Sequence, residues 1–200
     1  MISPLRLRKY LRYTILCSLI TLLPLPSHAK AETIYSVGVV PQFEARRITE
    51  IWQPILAEVS QLSGVKLELK ASPNIPAFEQ QFTAGEFDFA YMNPYHAIIA
   101  NKKPGYTPLL RDNGRSLFGI IVVKKDSPIQ SVSELDGKTV AFPAPNALGA
   151  ALLPRAEFDR KFKIRINELY VKSHSSVYLN VLLGKAAAGG GVQKTLSQQA

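Results

Sequence analysis

Apolar positions along this chain fall into short runs whose period switches between two residues and 3.6, and the switch alternates from run to run. Residues 33–40 form a short apolar run closed by Pro41, which reads as a strand. Residues 45–62 carry Ile48, Ile51, Trp52, Ile55, Leu56 and Val59 at helical spacing, and Gly64 is the stop. Pro54 inside that stretch predicts a kink, or a helix that really begins near Trp52. Residues 65–70 alternate as a strand, 77–84 predict a short helix ended by Gly85, and 87–91 predict a buried strand. A helix over 94–101 and a further short strand over 107–111 follow. This β-α-β-α-β-α-β order predicts a parallel sheet with helices on both faces.

The alternation restarts near Ser116. Residues 117–124 are apolar and β-prone, Asp126-Ser127-Pro128 is a turn, and 131–135 predict a helical turn with Ser131 and Glu134 in capping-box spacing. Asp136-Gly137 is a turn before a strand at 138–142. A helix over 147–162, interrupted or kinked at Pro154, precedes a strand over 165–171. A helix over 177–183 closes at Gly184, and 186–191 begin a last strand. No fixed-period repeat or low-complexity linker is present. The expected organisation is α/β, with two lobes of mainly parallel sheet at 30–115 and 116–200 joined by a strand-like hinge. Ligands of open α/β sheets sit where strands end and helices begin, so the ligand belongs in the cleft between the lobes.

Residues 1–29 read as a signal peptide. Arg6, Arg8, Lys9 and Arg12 form a positive start, an apolar run spans about 13–25, and Ser27-His28-Ala29 fits a cleavage site. The other reading is an uncleaved N-terminal anchor. Cys17 lies inside the apolar run behind Leu16, which is too large for a typical lipid attachment site. Cleavage after Ala29 removes the one cysteine, and with it any disulfide, thiolate metal site or cysteine nucleophile. The 24 Lys+Arg and 15 Asp+Glu give +9, which falls to +5 once the four basic residues of the leader are gone. That balance suits an anionic ligand. The cations are scattered instead of striped, which argues against nucleic acid as a partner.

The segment Phe142-Pro143-Ala144-Pro145-Asn146-Ala147-Leu148-Gly149-Ala150 carries the sharpest chemical signal. It links a strand-like run to a helix-like run, with Asn146 where an N-cap would sit. Free backbone N–H groups and the positive end of a helix dipole make an anion site there without a charged side chain. Tyr91-Met92-Asn93-Pro94 repeats the arrangement. Catalytic signatures are missing: there is no Gly-x-Ser-x-Gly elbow, no Walker loop, and no histidine pair at metal-ligand spacing. Gly189-Gly190-Gly191 lacks the spacing of a dinucleotide fingerprint. A binding protein is expected, not an enzyme, with no cofactor and no metal.

Five stretches, in this order, carry a family resemblance. They are Val37-Gly38-Val39-Val40-Pro41, Gly85-Glu86-Phe87-Asp88-Phe89-Ala90-Tyr91, Leu135-Asp136-Gly137-Lys138-Thr139-Val140-Ala141-Phe142, Asn146-Ala147-Leu148-Gly149-Ala150 and Ser173-His174-Ser175-Ser176-Val177. With them the chain resembles the PhnD-like phosphate/phosphite/phosphonate-binding proteins of ABC transporters, whose fold is the two-lobed type II periplasmic binding fold. The resemblance implies lobes that close over a tetrahedral oxyanion and deliver it to a permease in the inner membrane. It implies ligand contacts from the turn at Asn146, Ala147 and Leu148, from His174, and from Tyr91 as an aromatic donor. It also implies a periplasmic, monomeric receptor. Where relatives that bind aminoalkyl phosphonates carry hydroxyl residues at the turn, this chain has Asn146, Ala147 and Leu148. Where the family has Gly-x-x-Asp, this chain has Gly184-Lys185-Ala186-Ala187, which leaves no carboxylate nearby for a ligand amine. A simple oxyanion such as phosphate, phosphite or methylphosphonate fits better.

The residues also have plainer readings. His174 is either an oxyanion donor or an exposed loop or cap histidine. Tyr91 either donates from an aromatic wall, with Tyr95 a weaker candidate beside it, or packs in the core. Asn93 caps the helix that Pro94 starts, and can touch a ligand as well. Ser175 is a candidate hydroxyl donor and a candidate N-cap. Phe43 walls the ligand or packs under the helix from Ala45. His96 reads as structural or surface, and Trp52 as core. The alternative function is a periplasmic sensing domain read by a signalling partner. The chain ends at Ala200 soon after the last helix-strand step, which predicts a truncated product with an incomplete second lobe and uncovered strand edges.

Overall fold

The computed structural model of the protein describes residues 32–114 and 116–199; the expected leader lies outside the described residues. The alternation resolves into two sheets. β1 (Ile34–Val39), β2 (Lys66–Lys70) and β3 (Phe89–Tyr91) form an all-parallel sheet in the order β2-β1-β3. α1 (Ala45–Ser63) and α2 (Ile75–Thr83) make its crossovers, and α3 (Pro94–Lys102) follows β3. The second sheet runs β4-β7-β5-β6, built from β4 (Gly119–Val122), β5 (Thr139–Phe142), β6 (Asn167–Tyr170) and β7 (Ala188–Val192). β5 pairs in parallel with β6 and β7, and β4 is antiparallel to β7. A helical run over 148–162, with α4 (Leu153–Glu157) at its centre, follows β5. α5 (His174–Leu182) follows β6, and α6 (Gln193–Ser197) follows β7. One apolar cluster joins Ile75, Phe78, Phe82 and Phe87 beside the first sheet to Val140, Phe142, Ala150 and Phe158 beside the second. Burial of the larger of these side chains, at roughly 1.5–3 kcal/mol each, is the main favourable term holding the two sheets together.

Several expectations need correction. Residues 107–111 form no strand; Leu109 and Leu110 are 71% and 96% exposed. The first sheet therefore ends at β3. As an edge strand β3 turns only Ala90 toward the core, and Phe89 and Tyr91 are exposed, so it is not the buried strand its composition suggests. α1 passes unbroken through Pro54, anchored on either side by buried Ile48 and Leu56. The helix expected from Ala147 starts at Leu148 and runs through Pro154 by opening into π-helical turns. Leu153 N–H there reaches Leu148 O, five residues back, which makes room for the proline ring.

The three glycines of β7 are explained by packing. A Cβ on Gly190 would strike Ala150 O and the Phe142 ring, and one on Gly191 would strike the Tyr178 ring and hydroxyl. Glycine lets a helix carbonyl approach β7 from one face and a tyrosine from the other.

Candidate functional site

Four helices begin around one small pocket. Ile75 opens α2, Asn93 caps α3, Leu148 opens the helical run after β5, and His174 opens α5; all four line the pocket. Val40 and Gln42, just past the end of β1, complete the first-sheet side, and Leu117 and Val192 close the other. The chain is drawn together here by backbone bonds. Val40 N–H donates to Tyr91 O at 3.0 Å, and His174 N–H, across the pocket, donates to Gln42 O at 3.2 Å. The N–H groups of Leu148, Gly149 and Ala150 have no acceptor among the described residues, as expected of a first helical turn. With the helix dipole behind them they present positive potential to the pocket. No lining residue carries a charged side chain, and no three His, Cys, Asp or Glu among the described residues gather where a metal could be held. The pocket holds about 20 Å³, room for one water-sized body and too little for a tetrahedral oxyanion with the walls as they stand.

His174 is the one titratable side chain of the pocket, and it is 3% exposed. Burial pushes its pKa down to about 4, so the imidazole is neutral at physiological pH. Its Nδ1 lies 3.3 Å from Thr195 Oγ1. Thr195 in turn donates to Val192 O at 2.8 Å and lies 2.8 Å from the Tyr178 hydroxyl. Burial raises the Tyr178 pKa, so the phenol also stays neutral. His174 Nε2 has no protein partner among the described residues and is not sealed from solvent.

A second polar chain lies behind the turn at Asn146. Asn146 Nδ2 donates to Glu79 Oε2 at 3.2 Å, and Glu79 Oε1 meets His96 Nε2 at 2.9 Å. Glu79 on α2 and His96 on α3 are thereby tied to the segment after β5. His96 is fully buried among Phe78, Phe82 and Tyr95, and its Nδ1 is without a partner among the described residues.

Of the residues expected at the site, Asn93, Ala147, Leu148 and His174 line one pocket. Asn93 Oδ1 also caps α3 by accepting from His96 N–H at 2.9 Å. Asn146 is not the N-cap; that position falls to Ala147, and the Asn146 amide turns to Glu79. Ser175 is neither lining residue nor cap. Ser173 caps α5 instead, its Oγ accepting from Ser176 N–H at 3.2 Å. Tyr91 leaves the site altogether. Strand alternation sends its side chain to the α1 face, where its ring packs on Trp52 at 4.8 Å between centroids, and only its carbonyl reaches the pocket's framework. Phe43 packs with Val39 and Ile48 under α1 and is not a wall of the pocket.

Sequence reasoning missed Glu79, a carboxylate adjoining the turn where none was expected, together with Thr195 and Tyr178 behind His174. Tyr178 follows His174 by four residues on one helix, a spacing that puts both on one face and was readable. Glu79 and Thr195 come close only through tertiary packing, which no local spacing reveals.

Comparison with known proteins completes the picture. The profile of the family described as "ABC transporter, phosphonate, periplasmic substrate-binding protein" matches residues 37–200. A phosphonates-binding periplasmic protein of Escherichia coli is 26% identical over 153 residues, which is 72% of this chain and 45% of that protein. The chain thus spans about half the length of the curated relative it matches. Among solved structures, the binding component of an ABC phosphonate transporter from Pseudomonas aeruginosa superposes with a TM-score of 0.71 at 16% identity, covering 84% of this chain and 59% of that one. A PhnD protein of Prochlorococcus marinus, solved in complex with methylphosphonate, gives 0.70 at 16% identity, covering 82% of this chain and 65% of that one. The likeness to these structures shows the fold alone, the two-lobed α/β fold of periplasmic binding proteins with mainly parallel sheets. The match over residues 37–200 shows the lineage, and the chain belongs to the family of periplasmic substrate-binding proteins of phosphonate ABC transporters.

Proposed function

We propose that this chain captures a phosphorus oxyanion, such as phosphate, phosphite or methylphosphonate, in the periplasm and hands it to the permease of an ABC importer in the inner membrane. The observation that carries the reading is the meeting of helix N-termini and His174 around one pocket with no charged wall. Free N–H groups at Leu148, Gly149 and Ala150 are the donors an oxyanion needs, and the methylphosphonate complex of a structural relative supports the ligand class. On this reading residues 1–29 are the leader, 30–115 and 116–200 are the two lobes, and the receptor acts as a monomer. Entry requires the lobes to separate, since the pocket is water-sized, and Leu117 is its most exposed wall, with Gln42, Asn93 and Leu148 half-buried. Closure then brings the four helix starts onto the ligand.

The test is thermal stability against phosphate, phosphite, methylphosphonate, sulfate and an aminoalkyl phosphonate. A ligand at a hundred times its Kd adds about 2.7 kcal/mol, a readily measured rise in Tm. Stabilisation by at least one phosphorus oxyanion is expected. A flat response to all of them would sink the proposal.

A further inference from the structure

His174 has two ring nitrogens, and which one carries the proton decides what the pocket accepts. Thr195 settles the matter by proton counting. Its hydroxyl has one proton and three neighbours: Val192 O at 2.8 Å, the Tyr178 hydroxyl at 2.8 Å and His174 Nδ1 at 3.3 Å. Val192 O can only accept. The arrangement that satisfies both short contacts sends the Thr195 proton to Val192 O and the Tyr178 proton to Thr195 Oγ1. Thr195 then faces His174 with a lone pair, so Nδ1 must bear the hydrogen. Turning the Thr195 proton toward Nδ1 instead leaves two oxygens 2.8 Å apart with no Thr195 proton between them, and Tyr178 lies 3.3 Å from Val192 O, too far to replace that bond well.

We propose that Thr195, held by Tyr178 and Val192 O, fixes His174 as the Nδ1–H tautomer, so that Nε2 meets the ligand as a hydrogen-bond acceptor and the pocket selects an oxyanion that still carries a proton. The inference rests on the oxyanion-binding reading above and specifies the ionic form bound. Three further features point the same way. Burial keeps the imidazole neutral, so Nε2 keeps its lone pair. The Tyr178 phenol, linked to His174 through Thr195, is itself neutral, and no lining residue offers a cation to balance a second negative charge. The Glu79 carboxylate sits behind Asn146, adding negative potential on the far side of the turn. A dianion held by backbone N–H groups alone is far costlier to desolvate than a monoanion. A hydrogen phosphonate or dihydrogen phosphate donates its P–OH to Nε2 and takes the N–H groups of 148–150 on its ionised oxygens. Sulfate, with no proton to give at neutral pH, sets an unprotonated oxygen against a lone pair. Thr195 and Tyr178 are positioning residues that touch no ligand.

The experiment has two arms on the same protein. In the first, histidine-labelled chain is read by ¹⁵N NMR, with His174 assigned through His174→Gln. The expected spectrum shows Nδ1 protonated and Nε2 bare; a protonated Nε2 would overturn the proposal without any ligand being present. In the second, calorimetry compares phosphate, methylphosphonate, its monomethyl ester and sulfate. Wild type is expected to hold methylphosphonate at least tenfold tighter than its ester or sulfate. Thr195→Val should cut that preference tenfold and shift the tautomer, and Thr195→Ser, which keeps the hydroxyl, should restore both. Equal affinity for sulfate and phosphate in wild type overturns the selectivity. Binding of no oxyanion at all overturns the functional reading and the selectivity with it, while the NMR arm still reports the tautomer.

Discussion

Two buried histidines, His174 lining the pocket and His96 in the aromatic core, differ in what becomes of the second ring nitrogen. His96 and His174 are 0% and 3% exposed, so burial does not separate them. His96 spends Nε2 on Glu79 and seals Nδ1 among aromatic rings, leaving nothing for a ligand. His174 spends Nδ1 on Thr195 and leaves Nε2 without a partner among the described residues and not sealed from solvent. The first ties α2 and α3 to the turn at Asn146; the second is the proposed ligand group, backed by a hydroxyl network. A buried histidine is a site candidate only when one nitrogen is bound from behind and the other faces space.

The sharpest way to break the comparison is to remove each ring. His96→Ala should cost about 3–5 kcal/mol of stability, because it empties an aromatic core position and strips Glu79 of its partner. Chemical denaturation would show it, and oxyanion affinity measured below the melting range should change less than threefold. His174→Gln should do the reverse, with affinity for a phosphorus oxyanion falling about 100-fold by calorimetry and little lost in stability. If both variants lose stability equally and affinity equally, the division of roles is wrong.

Acid sharpens the same contrast. The unfolded chain takes a proton on His174 near its ordinary pKa of 6.5, while the folded chain resists until about 4. A folded-state pKa below the unfolded value makes folding weaken as pH falls between those two values, by up to about 3 kcal/mol at the low end. Urea midpoints from pH 7 down to pH 4 should fall, and in His174→Gln the slope over that window should flatten. A midpoint in the wild type that holds steady across the window would contradict the buried neutral imidazole.

A smaller effect is expected at the Asn146 end of the chain through Glu79 to His96. Asn146→Ala removes the 3.2 Å bond to Glu79 and should cost about 1 kcal/mol, with affinity falling only a few-fold because backbone N–H groups hold the ligand. A loss as large as that of His174→Gln would make Asn146 a direct ligand contact, as its place in the sequence first suggests.

Much of this was legible in the order of apolar runs. The α/β alternation, the cap at Asn93, a helix start within a residue of Leu148, and His174 at the mouth of a helix all follow from local pattern, because caps and periodicity are encoded within four or five residues. What failed were inferences about which face of an element is covered. The 107–111 run looks like a strand by composition yet finds no neighbour. Residues 87–91 look buried, but an edge strand is covered on one side only. Glu79 and Thr195 were invisible for a related reason: each matters through a partner 67 or 21 residues away, Asn146 and His174 respectively. The capping serine was misplaced by two positions, Ser173 for Ser175, which is the ordinary uncertainty of a helix end.

Tyr91 gives the smallest expected effect and the cleanest test of how far family resemblance carries a residue. The resemblance implies an aromatic donor to the oxyanion at this position. The β1–β3 register, which pairs Val39 with Tyr91, sets the ring on the α1 face against Trp52, while Ala90 faces the core. Its hydroxyl is thus on the wrong side of the strand for the pocket, and a rotamer change cannot carry a side chain through its own sheet. Tyr91→Phe keeps the ring packing and removes the hydroxyl, so affinity should stay within twofold of wild type and stability within about 0.5 kcal/mol. Tyr91→Ala should cost stability through the lost contact with Trp52 while leaving affinity alone. A tenfold loss of affinity in Tyr91→Phe would mean that the ligand-bound lobes present the opposite face of β3, and the pocket at His174 would then be only part of the site.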